Sequence, residues 1–117
     1  MSPILVEIAP GELIDRMTIL EIKSERITDA AKLANVRIEL ETLQRARDAD
    51  VPASDQLDRL TAELKAVNEA LWEIEDDIRD CERAQDFGPR FIELARSVYV
   101  TNDQRAALKR EINDLLG

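Results

Sequence analysis

The chain has 117 residues, 44% of them apolar, 35% charged and 3% aromatic, with a formal net charge of −9. That length holds one domain with one core, and an acidic surface argues against binding nucleic acid by neutralising its phosphates. With no histidine and one cysteine, the chain lacks an intramolecular disulfide, a Ser/His or Cys/His nucleophile pair, and the usual ligands of di-iron and structural zinc sites. No window approaches the ~20 apolar residues of a membrane span. The N-terminus has no basic region followed by a long apolar run, so the expected compartment is the cytoplasm.

The first residues, Pro3-Ile4-Leu5-Val6-Glu7-Ile8, are apolar and rich in β-branched types. They predict a short extended arm, either packed on the helices or exchanged with a second copy, since a lone strand needs a partner. Pro10-Gly11-Glu12 opens a first helix over 11–27, with Pro near its first position and acids at its positive end. Thr28-Asp29 offers an N-cap and breaks the run, giving a second helix over 29–47 whose Leu33, Val36, Leu40 and Leu43 step by three and four. A turn over 47–53 contains Pro52.

Ser54 caps a third helix over 54–86 in which Leu57, Leu60, Leu64, Val67, Leu71, Ile74, Ile78 and Cys81 hold an a/d rhythm. Gly88 is the expected stop and Pro89 the next start. Phe91, Leu94, Ala95 and Val98 stripe a short fourth helix over 89–99. Thr101-Asn102-Asp103-Gln104 forms a capping box for a last helix over 102–116, with Leu108, Ile112 and Leu115 inward. The third helix, ~45 Å long at 1.5 Å per residue, is expected to pair its first half antiparallel with the second helix. Its second half is expected to pack on the first helix and the two C-terminal ones. The fold class is therefore all-α, a helical bundle with a long antiparallel coiled-coil-like hairpin and a short extended N-terminal arm.

Chemistry concentrates on two helices. Glu21 and Glu25 flank an apolar stripe of the first helix at i,i+4, and Asp15 borders it on the other side. Like charges at that spacing near an apolar surface need cations, hydrogen bonds or a metal. From Glu69 to Asp86 there are eight acids against Arg79 and Arg83, with Trp72 one turn from Glu75 and Asp76. Three arrangements fit: a solvated, mutually paired charged face; a carboxylate site for Mg²⁺ or Mn²⁺, which need no histidine; or a Glu/Arg/Tyr pocket for a small polar ligand. For the second, Glu21, Glu25, Glu73 and Asp76 invite comparison with all-α nucleotide pyrophosphohydrolases, where carboxylates on two helices hold a metal that activates water. Cys81, on the core stripe, is expected to be a buried structural thiol. Tyr99 precedes Thr101-Asn102-Asp103, where either a packed ring beside a cap or a polar site at a positive helix end is expected.

The stretches Gly11-Glu12-Leu13-Ile14-Asp15, Thr18-Ile19-Leu20-Glu21-Ile22-Lys23, Leu71-Trp72-Glu73-Ile74-Glu75-Asp76 and Phe91 to Asp103 resemble an uncharacterised bacterial family of short helical proteins. That resemblance implies a domain found alone or beside glycosyltransferase-like or tetratricopeptide-type segments, and hence a link to surface-glycan biosynthesis. It carries no catalytic residue. It also implies that some relatives continue beyond the equivalent of Gly117 with an acidic, Tyr-containing tail. The shared positions with functional potential are Asp15, Glu21, Lys23, Trp72, Glu75, Asp76, Arg79, Arg96, Tyr99, Asn102 and Asp103, to which the residue pattern adds Glu25.

The expected role is a non-catalytic interaction or accessory module without a cofactor. It would bind a protein partner or self-associate through the arm or the hairpin seam. The alternative is a Mg²⁺- or Mn²⁺-dependent enzyme, or a phosphate-ligand-binding protein, using the acidic cluster.

Overall fold

The computed structural model describes residues 1–117 and is all-α. Its four helices are α1 (Pro10–Arg26), α2 (Ala30–Asp50), α3 (Asp55–Arg83) and α4 (Pro89–Leu116). No helix is long and apolar enough to cross a membrane. The Asp29 carboxylate caps α2 by accepting from Lys32 N at 3.0 Å, and the Ser54 hydroxyl caps α3 by accepting from Leu57 N at 3.0 Å.

α1 is central. Leu13, Ile14, Met17, Leu20 and Ile22 are all buried, together with Asp15 and Thr18, so a helix that is apolar on two sides finds a neighbour on each. Leu13, Ile14 and Met17 meet Leu57, Leu60 and Leu64 of α3 and Ile112 of α4 in the main core, with Leu40 and Leu43 of α2 resting against it. Each Leu or Ile buried there contributes roughly 1.5–3 kcal/mol. α4 runs back along α3: Leu108 and Ile112 join the Leu57–Leu64 end, while Arg90 lies beside Asp77 and Cys81.

Four expectations are corrected. α2 packs on α1, and no Cα of α2 comes within 8 Å of α3, so the long paired hairpin is α3–α4. The apolar stripe of α2 required a partner helix without specifying which one.

The two expected C-terminal helices are one, since α4 is unbroken from Pro89 to Leu116. No Gly or Pro interrupts it before Gly117. The β-branched Val98, Val100 and Thr101 cost only tenths of a kcal/mol each. Thr101 turns inward and is buried, so packing along α3 overrides the local cap signal. Tyr99 is thus mid-helix and exposed, with no helix end beside it.

The arm is not packed on the helices. Residues 1–9 are extended and exposed, with Ile4 at 80% and Leu5 at 93% accessibility.

The α3–α4 turn also departs from expectation. Gln85 takes the left-handed conformation at φ 53°, the role usually given to a glycine, and Gly88 instead precedes α4 as its N-cap.

Candidate functional site

The most elaborate polar assembly lies where α1, α3 and α4 meet. Asp15 is fully buried. Its Oδ1 accepts from Arg105 Nε at 2.9 Å and from Asn68 Nδ2 at 2.9 Å, and its Oδ2 accepts from Arg105 Nη2 at 2.5 Å. The planar guanidinium fork fits both carboxylate oxygens at once. Asn68 Nδ2 also donates to Thr18 Oγ1 at 2.9 Å, and that hydroxyl donates to Asp15 O at 2.7 Å. Asn102 Oδ1 stands 3.5 Å from Arg105 Nη1. Every buried side-chain polar atom has a partner.

One turn earlier the assembly continues. Lys109 Nζ donates to Glu12 Oε2 at 2.6 Å, and Arg16 Nε to Glu12 Oε1 at 3.2 Å. Gly11 N donates to Asn113 Oδ1 at 2.7 Å, so a side chain of α4 caps a helix whose own N-cap residue, Ala9, has none to offer. The helices touch here through backbone: a β-carbon on Gly11 would overlap the Lys109 carbonyl oxygen and lie 2.9 Å from Asn113 Oδ1. Glycine is required for that close approach, and its backbone conformation is ordinary.

Burial alone pushes the Asp15 carboxyl up. The hydrogen bonds from Arg105 and Asn68, with the charges of Arg105 and Lys109, outweigh it and hold the group below its ordinary value of 3.8. The bond to Asp15 raises Arg105 in turn. Glu12 is held low mainly by its hydrogen bond from Lys109, then by that from Arg16. A carboxylate sealed from solvent and held by three internal hydrogen bonds presents no oxygen to a ligand from outside. It acts as a three-helix clasp.

The other expected site residues fall in separate places. Glu21 and Glu25 both reach Lys65 Nζ of α3, at 3.4 and 2.5 Å. One ammonium therefore bridges the like-charged pair and offsets one of its two charges; the hydrogen bond to Glu25 is the main cause that raises Lys65. Lys23 makes no ion pair. Trp72 carries the Arg26 guanidinium over its ring at 5.8 Å, and Arg26 also pairs with Glu73. Glu75 and Asp76 share Arg79 at 4.0 and 3.2 Å along the surface of α3. Arg96 and Tyr99 stand on the outer face of α4, and Asp103 is exposed beyond them.

Of the twelve, Asp15 and Asn102 meet through Arg105, Glu21 and Glu25 meet on Lys65, and Glu75 and Asp76 pair with Arg79, so they fall into three separate groups. Glu21, Glu25, Glu73 and Asp76 are divided among three different cations, and no three acidic or thiol side chains are placed to hold a metal ion. Cys81 is buried, with Arg90 Nη1 at 3.8 Å from its Sγ.

The residues that build the clasp beside Asp15 were Asn68, Thr18, Arg105, Lys109 and Asn113. A signal for two of them is present in the register. Asn68 follows Leu64 by four and precedes Leu71 by three, and Arg105 precedes Leu108 by three and Ile112 by seven. Both are polar residues on seam positions.

No curated protein and no solved structure matches the chain. The model of one family, described only as a family of unknown function (DUF6165), matches residues 4–116. The chain belongs to that family.

Proposed function

We propose that the chain is a non-catalytic helical interaction module that engages a protein partner. One observation carries this: the polar side chains inside the bundle satisfy one another, while apolar side chains stand in water at its extremities. Asp15, Arg105, Asn68 and Thr18 form a closed set. By contrast Ile4, Leu5 and Val6 on the arm, and Phe87, Ile92, Tyr99 and Val100 along the far end of α3–α4, are exposed. An enzyme would converge acids and cations on an enclosed cavity; an interaction module leaves apolar surface for a partner. The net charge of −9 favours a protein over a nucleic acid as that partner. A reducing, cytoplasmic compartment suits the single buried thiol, and the resemblance to short bacterial helical proteins favours an accessory role in surface-glycan synthesis.

Thermal unfolding against Mg²⁺, Mn²⁺, nucleotides and nucleotide-sugars tests the proposal, with Trp72 fluorescence as a second signal. A ligand at ~100 times its dissociation constant adds about 2.7 kcal/mol, which a melt resolves easily. The expected result is no shift with any of them. A shift abolished by Glu21→Gln and accompanied by substrate turnover would overturn the proposal in favour of a metal- or phosphate-ligand enzyme.

A further inference from the structure

The exposed apolar surface at the far end of the bundle has a feature that selects its occupant. Between Trp72 and Val100 only Cys81 is fully buried, because this end is made of α3 and α4 alone, one seam between two helices. The opposite flank of α4 carries Pro89, Ile92, Glu93, Arg96, Ser97 and Val100 along a groove walled by that single helix. Ile92 is 56% and Val100 49% exposed. Neither Glu93 nor Arg96 takes part in any of the ion pairs of the chain. An acid and a base therefore stand in the middle of an apolar stripe without a partner.

When two such helices pair antiparallel about a two-fold axis passing between positions 94 and 95, positions along the centre of the face meet their mirror positions. Glu93 then faces the partner's Arg96, and Arg96 the partner's Glu93. Pro89 faces Val100, while Ile92 and Ser97, about 140° apart around the helix, take opposite flanks, so that Ile92 lies beside its own counterpart. The central oppositions are acid to base and apolar to apolar, as a self-complementary isologous interface requires. A parallel arrangement would set Glu93 against Glu93 and Arg96 against Arg96. We infer that this face of α4 is a homodimer interface, in which the α3–α4 ends of two copies close into a four-helix arrangement with two reciprocal Glu93–Arg96 pairs. The inference deepens the proposal above by naming the partner as a second copy.

Sedimentation velocity over a concentration series, on wild type, Glu93→Arg, Arg96→Glu and the double exchange, tests it. Both positions are exposed and unpaired, so circular dichroism should give the same helix content for all four. Wild type should dimerise. Each single variant sets like charges opposite one another twice and should associate about tenfold more weakly or worse. Mixing the two single variants in equal amounts should restore the dimer, because one copy then offers two bases to the two acids of the other. The double exchange should dimerise alone.

A wild type that stays monomeric throughout overturns the inference, as do single variants that dimerise like wild type, which would place the contact elsewhere, the arm included. These failures leave the interaction-module proposal standing. That proposal falls only to the ligand-dependent melting shift with turnover.

Discussion

Arg105 grips Asp15 through two parallel hydrogen bonds, Nε to Oδ1 at 2.9 Å and Nη2 to Oδ2 at 2.5 Å, across 90 positions of sequence. The pair ties the last helix to the first at the point where Asn68 of α3 also arrives. Its carboxylate is sealed from solvent while the arginine side chain keeps 29% of its surface in water. That asymmetry makes the two partners unequal when one is removed.

Arg105→Ala leaves an ionised carboxylate in the interior with Asn68 as its hydrogen-bond donor and the Lys109 ammonium 3.9 Å away as its nearest cation. Breaking a buried pair from one side typically costs about 3–5 kcal/mol, and the partial exposure of Arg105 puts the expected loss near ~3 kcal/mol. Urea unfolding followed by circular dichroism measures it. Combining it with Asp15→Leu should recover most of the loss, because the uncompensated charge is then gone.

The clasp also predicts acid sensitivity. The Asp15 and Glu12 carboxyls titrate lower in the folded protein than in the unfolded chain, so the unfolded state takes up their protons first as pH falls. Their contribution is complete above the unfolded values near ~4 and is lost as pH drops through the lower folded values. The urea midpoint should hold steady from neutral pH down to about 5 and fall below about 4. In Asp15→Asn that fall should be shallower.

Gly11→Ala should reverse the usual preference. Alanine in a helix is ordinarily favoured over glycine by about 1 kcal/mol, yet here its methyl would strike the Lys109 carbonyl oxygen. A net loss of about 1–3 kcal/mol is expected from forcing α1 and α4 apart. Asn113→Ala, which removes only the cap on Gly11 N, should cost about 1 kcal/mol. Thermal melts of both variants check the order.

Removing residues 1–8 should leave stability within about 0.5 kcal/mol of wild type, as for surface changes generally. No backbone hydrogen bond from these residues joins the bundle, and all their side chains are exposed. A larger loss in the melt would show that the arm lies on the helices in solution.

Much of the fold is legible in the chain because punctuation and period agree. Pro10, Asp29, Ser54 and Pro89 mark helix starts, and the leucines of α3 mark its buried edge. The continuity of α4 is not legible, since Thr101-Asn102-Asp103-Gln104 offers the same local cap chemistry whether or not a helix starts there. Only the burial of Thr101 against the bundle decides it. The position of α2 is hidden for a similar reason: Val36, Leu40 and Leu43 demand an apolar neighbour, and both α1 and α3 could have met that demand.

At the site, Asp15 is recognisable as a charge beside an apolar stripe. Its partners are harder to find, because Asn68 and Arg105 are ordinary surface residue types and only their seam register betrays them. Glu75, Asp76 and Arg79 look like a constellation in sequence because they are close along one helix, and they pair with each other for that same reason.

The most direct test of the chain as an interaction module rather than a metal enzyme is an amide NMR titration with Mn²⁺, whose unpaired electrons broaden nearby signals. The account predicts weak, unsaturable broadening spread over exposed acids such as Glu75, Asp76 and Asp103. Saturable broadening confined to Glu21, Glu25 and the Trp72 turn would contradict it, since the Lys65 clamp would then have opened to admit a cation.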